Sequence, residues 1–334
     1  MAQLDRAQII AYRYQANGLN ARLPAGELVA AARPGLQDSS PRSAVISLHA
    51  RVEDVSTEDW SDRRLVQVWG PRGAIYLTSK DHLALFTLGL LPRDPDRANL
   101  LQDNARKVLR ALDGRPQRPA NILDLVPSIP SQRELLWTAT TGWFLPIWDA
   151  SATAAYPAEP AEADPEECRL GLARLFLHHL GPATSKGLQW WTGSTPQDAA
   201  ETMKALAPEL ATVDVGGEEV LMLHADVEVA QEAPRPSGLV MLPPEDVYIN
   251  RLCGPLLAPN AELHGRLYPH APLPGALVLD GEVAGTWRRR DRQFSVTPVP
   301  GRANGELAER VAEAAAALPL PGAPENTIVD WVKD

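Results

Sequence analysis

Three times along this chain, stretches with helical spacing of apolar residues give way to a short β run, and that cycle narrows the folds open to it. In the first cycle, residues 4–17 carry Leu4, Ile9, Ile10, Tyr12 and Tyr14, enough apolar positions for an opening helix. Residues 41–50 predict a second helix, with Ser40 as N-cap, Pro41 at the first helical position and Val45, Leu48 and His49 on one face. Residues 56–69 read as a third, with Thr57 as its cap and Leu65, Val66 and Trp69 turned inward. Gly73-Ala-Ile-Tyr-Leu-Thr78 then follows a Gly turn as a short strand. Three helices and a hairpin, in that order, make a winged helix.

The second cycle has helical stretches at 99–112, 122–126 and 133–141 and a β segment at 143–148. Residues 150–165, rich in Ala, Pro and Glu, are the best linker candidate. The third cycle has helices at 170–180, 186–191 and 196–206. Its β runs at 210–215 and 219–224 flank Gly216-Gly217, a strong hairpin signal. After residue 226 the character changes to strands and loops. A hairpin over 275–287 is centred on Asp280-Gly281, and a last helix over 304–318, rich in Ala, is stopped by Pro319. The 31 Pro and 23 Gly agree with many short elements joined tightly.

A chain of 334 residues, 45% of them hydrophobic, is expected to fold as more than one domain. Cys168 and Cys253 are too few and too distant for a disulfide framework or a zinc site, and they suit a reducing cytosol. The opening Met-Ala-Gln-Leu-Asp-Arg lacks a basic segment followed by an apolar one, and no apolar run is long enough to cross a bilayer. These features predict a soluble, cytoplasmic protein.

The net charge of -10 argues against a broad nucleic-acid coat but leaves room for local basic patches. The densest patch is Arg288, Arg289, Arg290 and Arg292, where phosphate or minor-groove contact competes with a solvated hairpin end, which Asp291 would suit. Arg72, in a Gly-Pro-Arg-Gly turn, is either a backbone contact or a turn residue. Lys186 opens a recognition-like helix and is a phosphate-contact candidate, whereas Trp190 and Trp191 beside it are expected to pack inward. The seven histidines show no ligand spacing, and neither a phosphate loop nor a dinucleotide fingerprint is present. No metal and no cofactor are expected.

The segment Arg33-Pro-Gly-Leu-Gln-Asp-Ser-Ser-Pro-Arg42 places the amide of Gln37 and the hydroxyls of Ser39 and Ser40 in a Gly/Pro-framed loop that opens a helix. It is also a plain helix start, with Ser40 capping and Asp38 favouring the helix dipole. The two readings are compatible, since a cap fixes the loop that presents Gln37.

Four segments in order resemble the bacterial DNA glycosylase family typified by AlkZ and YcaQ. They are Gly35-Leu-Gln-Asp-Ser-Ser-Pro-Arg-Ser, Arg64-Leu-Val-Gln-Val-Trp-Gly-Pro-Arg-Gly-Ala-Ile-Tyr-Leu, His179-Leu-Gly-Pro-Ala-Thr-Ser-Lys-Gly-Leu-Gln-Trp-Trp and Leu277-Val-Leu-Asp-Gly-Glu-Val-Ala-Gly-Thr-Trp-Arg. The resemblance implies an α+β fold: three tandem winged helices in a C shape around a DNA-sized channel, closed by a C-terminal β domain. On this chain the units would be residues 1–95, 96–160 and 161–226, followed by 227–334. It also implies excision of bulky alkylated purines and crosslinks from double-stranded DNA by a monomer.

The family signature is Gln-x-Gln, or Gln-x-Asp in the YcaQ branch. Gln37 matches its first position and Ser39 departs from its second, which marks a specialised branch such as the self-resistance enzymes against trioxacarcin-type alkylators. An N7-alkylated guanine is cationic, so its glycosidic bond breaks without protonation of the base. The remaining task is to hold a water and stabilise an oxocarbenium-like state. Gln37 is expected to position that water and Ser39 to assist. Asp38 is the carboxylate in the motif, but the intervening position should point elsewhere. With no lysine beside Gln37, a monofunctional, metal-free hydrolase is expected. The rival reading is a winged-helix protein that binds lesions without catalysis, or a transcriptional regulator.

Overall fold

The computed structural model describes residues 1–302 and 304–332. It is a mixed α+β protein whose described strands form four small sheets. Strand Leu65–Trp69 pairs antiparallel with Ile75–Ser79, which carries the two-residue strand Leu36–Gln37 on its other edge. Phe144–Trp148 and Thr153–Pro157 form a hairpin. Leu210–Val215 pairs with Glu218–Leu223 and, on its other side, runs parallel to Ala2–Gln3. The last five described strands, Leu239–Leu242, Gly275–Leu279, Glu282–Arg290, Gln293–Pro298 and Ile328–Trp331, make a five-stranded sheet in chain order.

Helix Arg6–Ala16 begins with a capping box between Asp5 and Gln8 and buries Ile9 through Tyr14 without a break. Six consecutive buried residues span every face of a helix, so its middle must be covered on several sides. Its cover comes from far along the chain. The Tyr12 hydroxyl donates to the His178 carbonyl (2.7 Å), Arg13 Nε to the Gly181 carbonyl (2.8 Å) and Asn17 Nδ2 to the His179 carbonyl (2.9 Å). Tyr14 meets Tyr248 edge to face, with ring centroids 5.6 Å apart. The main core continues through helix Pro165–Leu180, where Phe176 stacks on Trp191. Trp191 thus packs inward as expected.

Three elements differ from expectation. Residues 56–69 were expected to be helical, but only Asp59–Ser61 makes a short 3-10 turn and Leu65–Trp69 is a strand. Every residue of that strand is buried, Leu65 against Leu36 and Leu77 on one face and Val66 and Val68 in the main core on the other. With both faces buried and Gln67 the one polar residue among five, the two-residue period does not register in the sequence. The 150–165 linker contains strand Thr153–Pro157, whose Ala155 is wholly enclosed. Residues after 226 hold helices as well as strands, namely the C-terminal part of His224–Glu232, then Gly254–Leu257 and Ala261–Leu267. The hairpin turns do follow the sequence signals. Gly216 and Gly217, and Asp280 and Gly281, all have positive φ. Among the described residues no helix is long and apolar enough to cross a membrane.

Candidate active site

The 34–43 loop is anchored by a short strand. Leu36 pairs with Leu77 and Gln37 with Tyr76, and the Asp38 amide donates to the Ile75 carbonyl (2.7 Å). Leu36 is fully enclosed, a contribution of roughly 1.5–3 kcal/mol that pins the register. Gly35, at φ +76°, lets the chain pass Phe86, because a Cβ there would sit 2.3 Å from Phe86 Cζ. Strand alternation then sends Leu36 and Asp38 to one side and Gln37 and Ser39 to the other.

Asp38 faces inward and is 1% exposed. Its Oδ1 accepts the Ala44 amide (3.0 Å) at the start of helix Ser43–His49, and Oδ2 accepts Gln67 Nε2 (3.4 Å). Asp38, not Ser40, therefore satisfies this helix start. The helix begins at Ser43, behind a left-handed Arg42, so Ser40 and Pro41 lie outside it. Burial pushes the Asp38 carboxyl up to about 6, against the pull of the Ala44 amide, Arg42 and Gln67. Gln67 in turn accepts from the Trp148 amide (2.7 Å) and donates to its carbonyl (3.1 Å), which ties the first sheet to the Phe144–Trp148 hairpin.

Gln37 faces the other way, and its carboxamide is held at both ends. Nε2 donates to Ser39 Oγ (2.7 Å) and to the carboxylate of Glu245, and Oε1 accepts the Tyr76 hydroxyl (3.2 Å). Ser39 is exposed, and its hydroxyl acts on the Glu245 carboxylate to lower its pKa. Burial pushes the Tyr76 hydroxyl up, which keeps it a donor. The Gln37 amide thus links Ser39 and Glu245.

Sequence reasoning missed Glu245. It follows Pro243-Pro244 at the end of strand Leu239–Leu242 and holds φ +62°, a left-handed conformation that costs a non-glycine residue on the order of 1–3 kcal/mol. Its neighbour Asp246 keeps it there. Asp246 is fully buried and takes a bidentate pair from Arg51 (2.8 and 2.9 Å), with Ser47 Oγ at 2.6 Å and the Tyr248 amide at 3.0 Å. The available signal was a rigid Pro-Pro turn presenting two carboxylates ahead of an apolar run. Burial pushes the Glu245 carboxyl up, opposed by Arg72, Arg251 and the Ser39 hydroxyl. Glu245 also lines a cavity of about 370 Å³ with Arg72, Trp190, Arg251, Tyr268 and His270.

The basic candidates divide. Arg72, at φ +58°, lays its guanidinium 4.3 Å over the Trp190 ring at the cavity mouth. Lys186 is exposed in the first turn of helix Ser185–Thr192. Arg288 and Arg290 point outward from strand Glu282–Arg290, Arg288 donating to the Pro272 carbonyl (2.9 Å). Arg289 is half-buried on the opposite face and donates to the Pro41 carbonyl, so it supports the Gln37 loop. Arg292 is a correction. It sits in the two-residue turn after Arg290, turns inward and is 7% exposed. Its guanidinium donates to the carbonyls of Ala316, Leu318, Leu320, Pro321 and Gly322, around the C-terminus of helix Gly305–Ala317. A guanidinium suits that place because the last helix carbonyls lack partners. Arg288–Arg290, Pro41 and Pro244 also line a cavity of about 490 Å³. Among the described residues, no group of three or more His, Cys, Asp or Glu is placed to hold a metal ion.

A search of curated proteins finds no match. Among solved structures, the chain is similar to the Streptomyces sahachiroi DNA glycosylase AlkZ, with a TM-score of 0.79 over 99% of this chain and 100% of that one. At 20% identity that likeness is one of fold. The family model described as DNA glycosylase AlkZ-like matches residues 32–319, a span holding the Gln37 loop, the Glu245 turn and the arginine strand. The chain belongs to the AlkZ-like DNA glycosylase family.

Proposed function

We propose that this protein hydrolyses the N-glycosidic bond of bulky N7-alkylguanine adducts or crosslinks in double-stranded DNA and leaves an abasic site. The observation that carries the reading is the Gln37 carboxamide, fixed by Tyr76, Ser39 and Glu245 in a loop that family membership makes the place to look for catalysis. An amide immobilised in this way orients a water without reorganising during the reaction. Gln37 positions the attacking water and Ser39 assists. Asp38 serves the loop, since its carboxylate is turned to the helix start.

In this reading, three winged-helix units over 1–95, 96–160 and 161–226 curve around the duplex, with 227–334 closing the curve. Arg72, Lys186, Arg288 and Arg290 meet phosphates. The enzyme acts as a monofunctional hydrolase and a monomer in the cytoplasm, in repair or self-resistance against genotoxic natural products. A bulky adduct resists full extrusion from the stack, so attack on the nucleotide within the channel replaces ordinary flipping.

The test is a duplex bearing one guanine alkylated at N7 by an intercalating epoxide. Incubation followed by alkali gives strand cleavage at the adduct, and Gln37→Ala abolishes it in a folded protein that still binds. Tight binding without cleavage would identify a lesion-binding protein instead.

A further inference from the structure

We infer that Glu245 is the base of this site, taking the proton of the water that Gln37 and Ser39 hold. The inference rests on the glycosylase reading above. It supplies from the 243–246 turn the group that the Gln37-Asp38-Ser39 motif lacks.

The need for a base follows from the bond changes. The water oxygen bonds to C1′ as the C1′–N9 bond breaks. The electron pair of that bond returns to a purine that was cationic, so the purine leaves neutral without a proton. The surplus proton is the water's own, and it must go to a protein group or to solvent. An amide and a hydroxyl hold a water but do not take its proton near neutral pH. Asp38 is enclosed, and both its oxygens are directed at the Ala44 amide and Gln67. The remaining carboxylate at the Gln37 amide is Glu245.

Its setting suits the task. Gln37 binds one oxygen of this carboxylate, Oε2, and Glu245 lines the cavity it shares with Arg72 and Arg251, so the carboxylate keeps acceptor capacity at the cavity. The cations that act on it, Arg72 and Arg251, oppose the upward push of burial. The adjoining Asp246 is neutralised by its own pair with Arg51 and serves as an anchor. A neutral acceptor would suffice to orient the Gln37 amide. A half-buried carboxylate in a left-handed turn is a costlier arrangement, and its gain is proton affinity.

The experiment is single-turnover cleavage of the N7-adducted duplex by the full chain, as wild type, Glu245→Gln and Asp38→Asn, from pH 5 to 9. The expected result is a roughly 100-fold slower chemical step in E245Q, with unchanged affinity for the adducted duplex. The wild-type rate falls on the acid side as Glu245 is protonated, Asp38→Asn keeps that fall, and E245Q loses it. A full rate in E245Q, a flat wild-type profile, or an acid limb that vanishes in D38N overturns the assignment of Glu245 alone. Failure of the wild type to cleave the adduct overturns the glycosylase reading with it. The wild-type and D38N profiles decide the matter even should E245Q not fold.

Discussion

Arg51 and Asp246 meet in a fully buried bidentate pair, and the pair joins the end of helix Ser43–His49 to the turn that carries Glu245. The two halves of the candidate site lie some two hundred residues apart in sequence and are held in register by this contact. Breaking a buried pair strands a charge, so Asp246→Ala is expected to destabilise the fold by about 3–5 kcal/mol. Thermal melting of the variant measures this. A melting temperature equal to that of wild type would show the pair to be dispensable.

Gln37→Ala removes the oriented amide and is expected to slow adduct cleavage by about 100-fold or more. Ser39→Ala removes one contact and leaves the carboxylate, so its loss is expected to be smaller, about tenfold. Rates measured with enzyme in excess over adducted duplex separate the two. Equal losses would mean that Ser39 and Gln37 act as one unit.

Asp38 gives a stability test that is independent of activity. Its carboxyl is held at about 6, above its ordinary 3.8, because burial disfavours the charge. The folded chain therefore binds this proton more tightly than the unfolded chain does. The resulting stability is complete below about pH 4 and is lost as pH rises through about 6. Asp38→Asn lacks this titration. Relative to wild type it is expected to gain on the order of 3 kcal/mol between about pH 4 and 7. Denaturant titration of both proteins at the two pH values checks the sign. A pH-independent difference would mean an unshifted carboxyl.

The arginines of the last hairpin predict opposite phenotypes for near neighbours. Arg288→Ala and Arg290→Ala are expected to weaken duplex binding at all sequences and to lower the salt slope by about one each. Arg292→Ala is expected to leave the salt slope alone and lower the melting temperature, since its guanidinium serves carbonyls around a helix end. A reduced slope for R292A would return it to the DNA-contact set.

Much of this was legible in the sequence. Asp280-Gly281 and Gly216-Gly217 announce their turns because two-residue hairpin loops demand positive φ. The Gln37 loop stands out through its Gly and Pro frame. Other features were hidden for physical reasons. Leu65–Trp69 is buried on both faces and has Gln67 as its one polar residue, so it shows no alternation to read. Ser40 looked like the helix cap because caps are local, yet the helix starts later and takes its acceptor from Asp38. Arg292 and Arg290 are alike as letters, and only the turn between them sends one inward. Glu245 could not be paired with Gln37 from sequence, since nothing local links residues so distant.

The burial of Ile9 through Tyr14 in helix Arg6–Ala16 also bears on synthesis. Its partners in Pro165–Leu180 and His224–Glu232 leave the ribosome long after it does. At roughly 5–20 residues per second, Ile9, Ile10, Tyr12 and Tyr14 wait on the order of ten seconds before their cover exists. A nascent chain stalled before residue 165 therefore displays a greasy helix, and holdase chaperones are expected to engage this protein at its first helix.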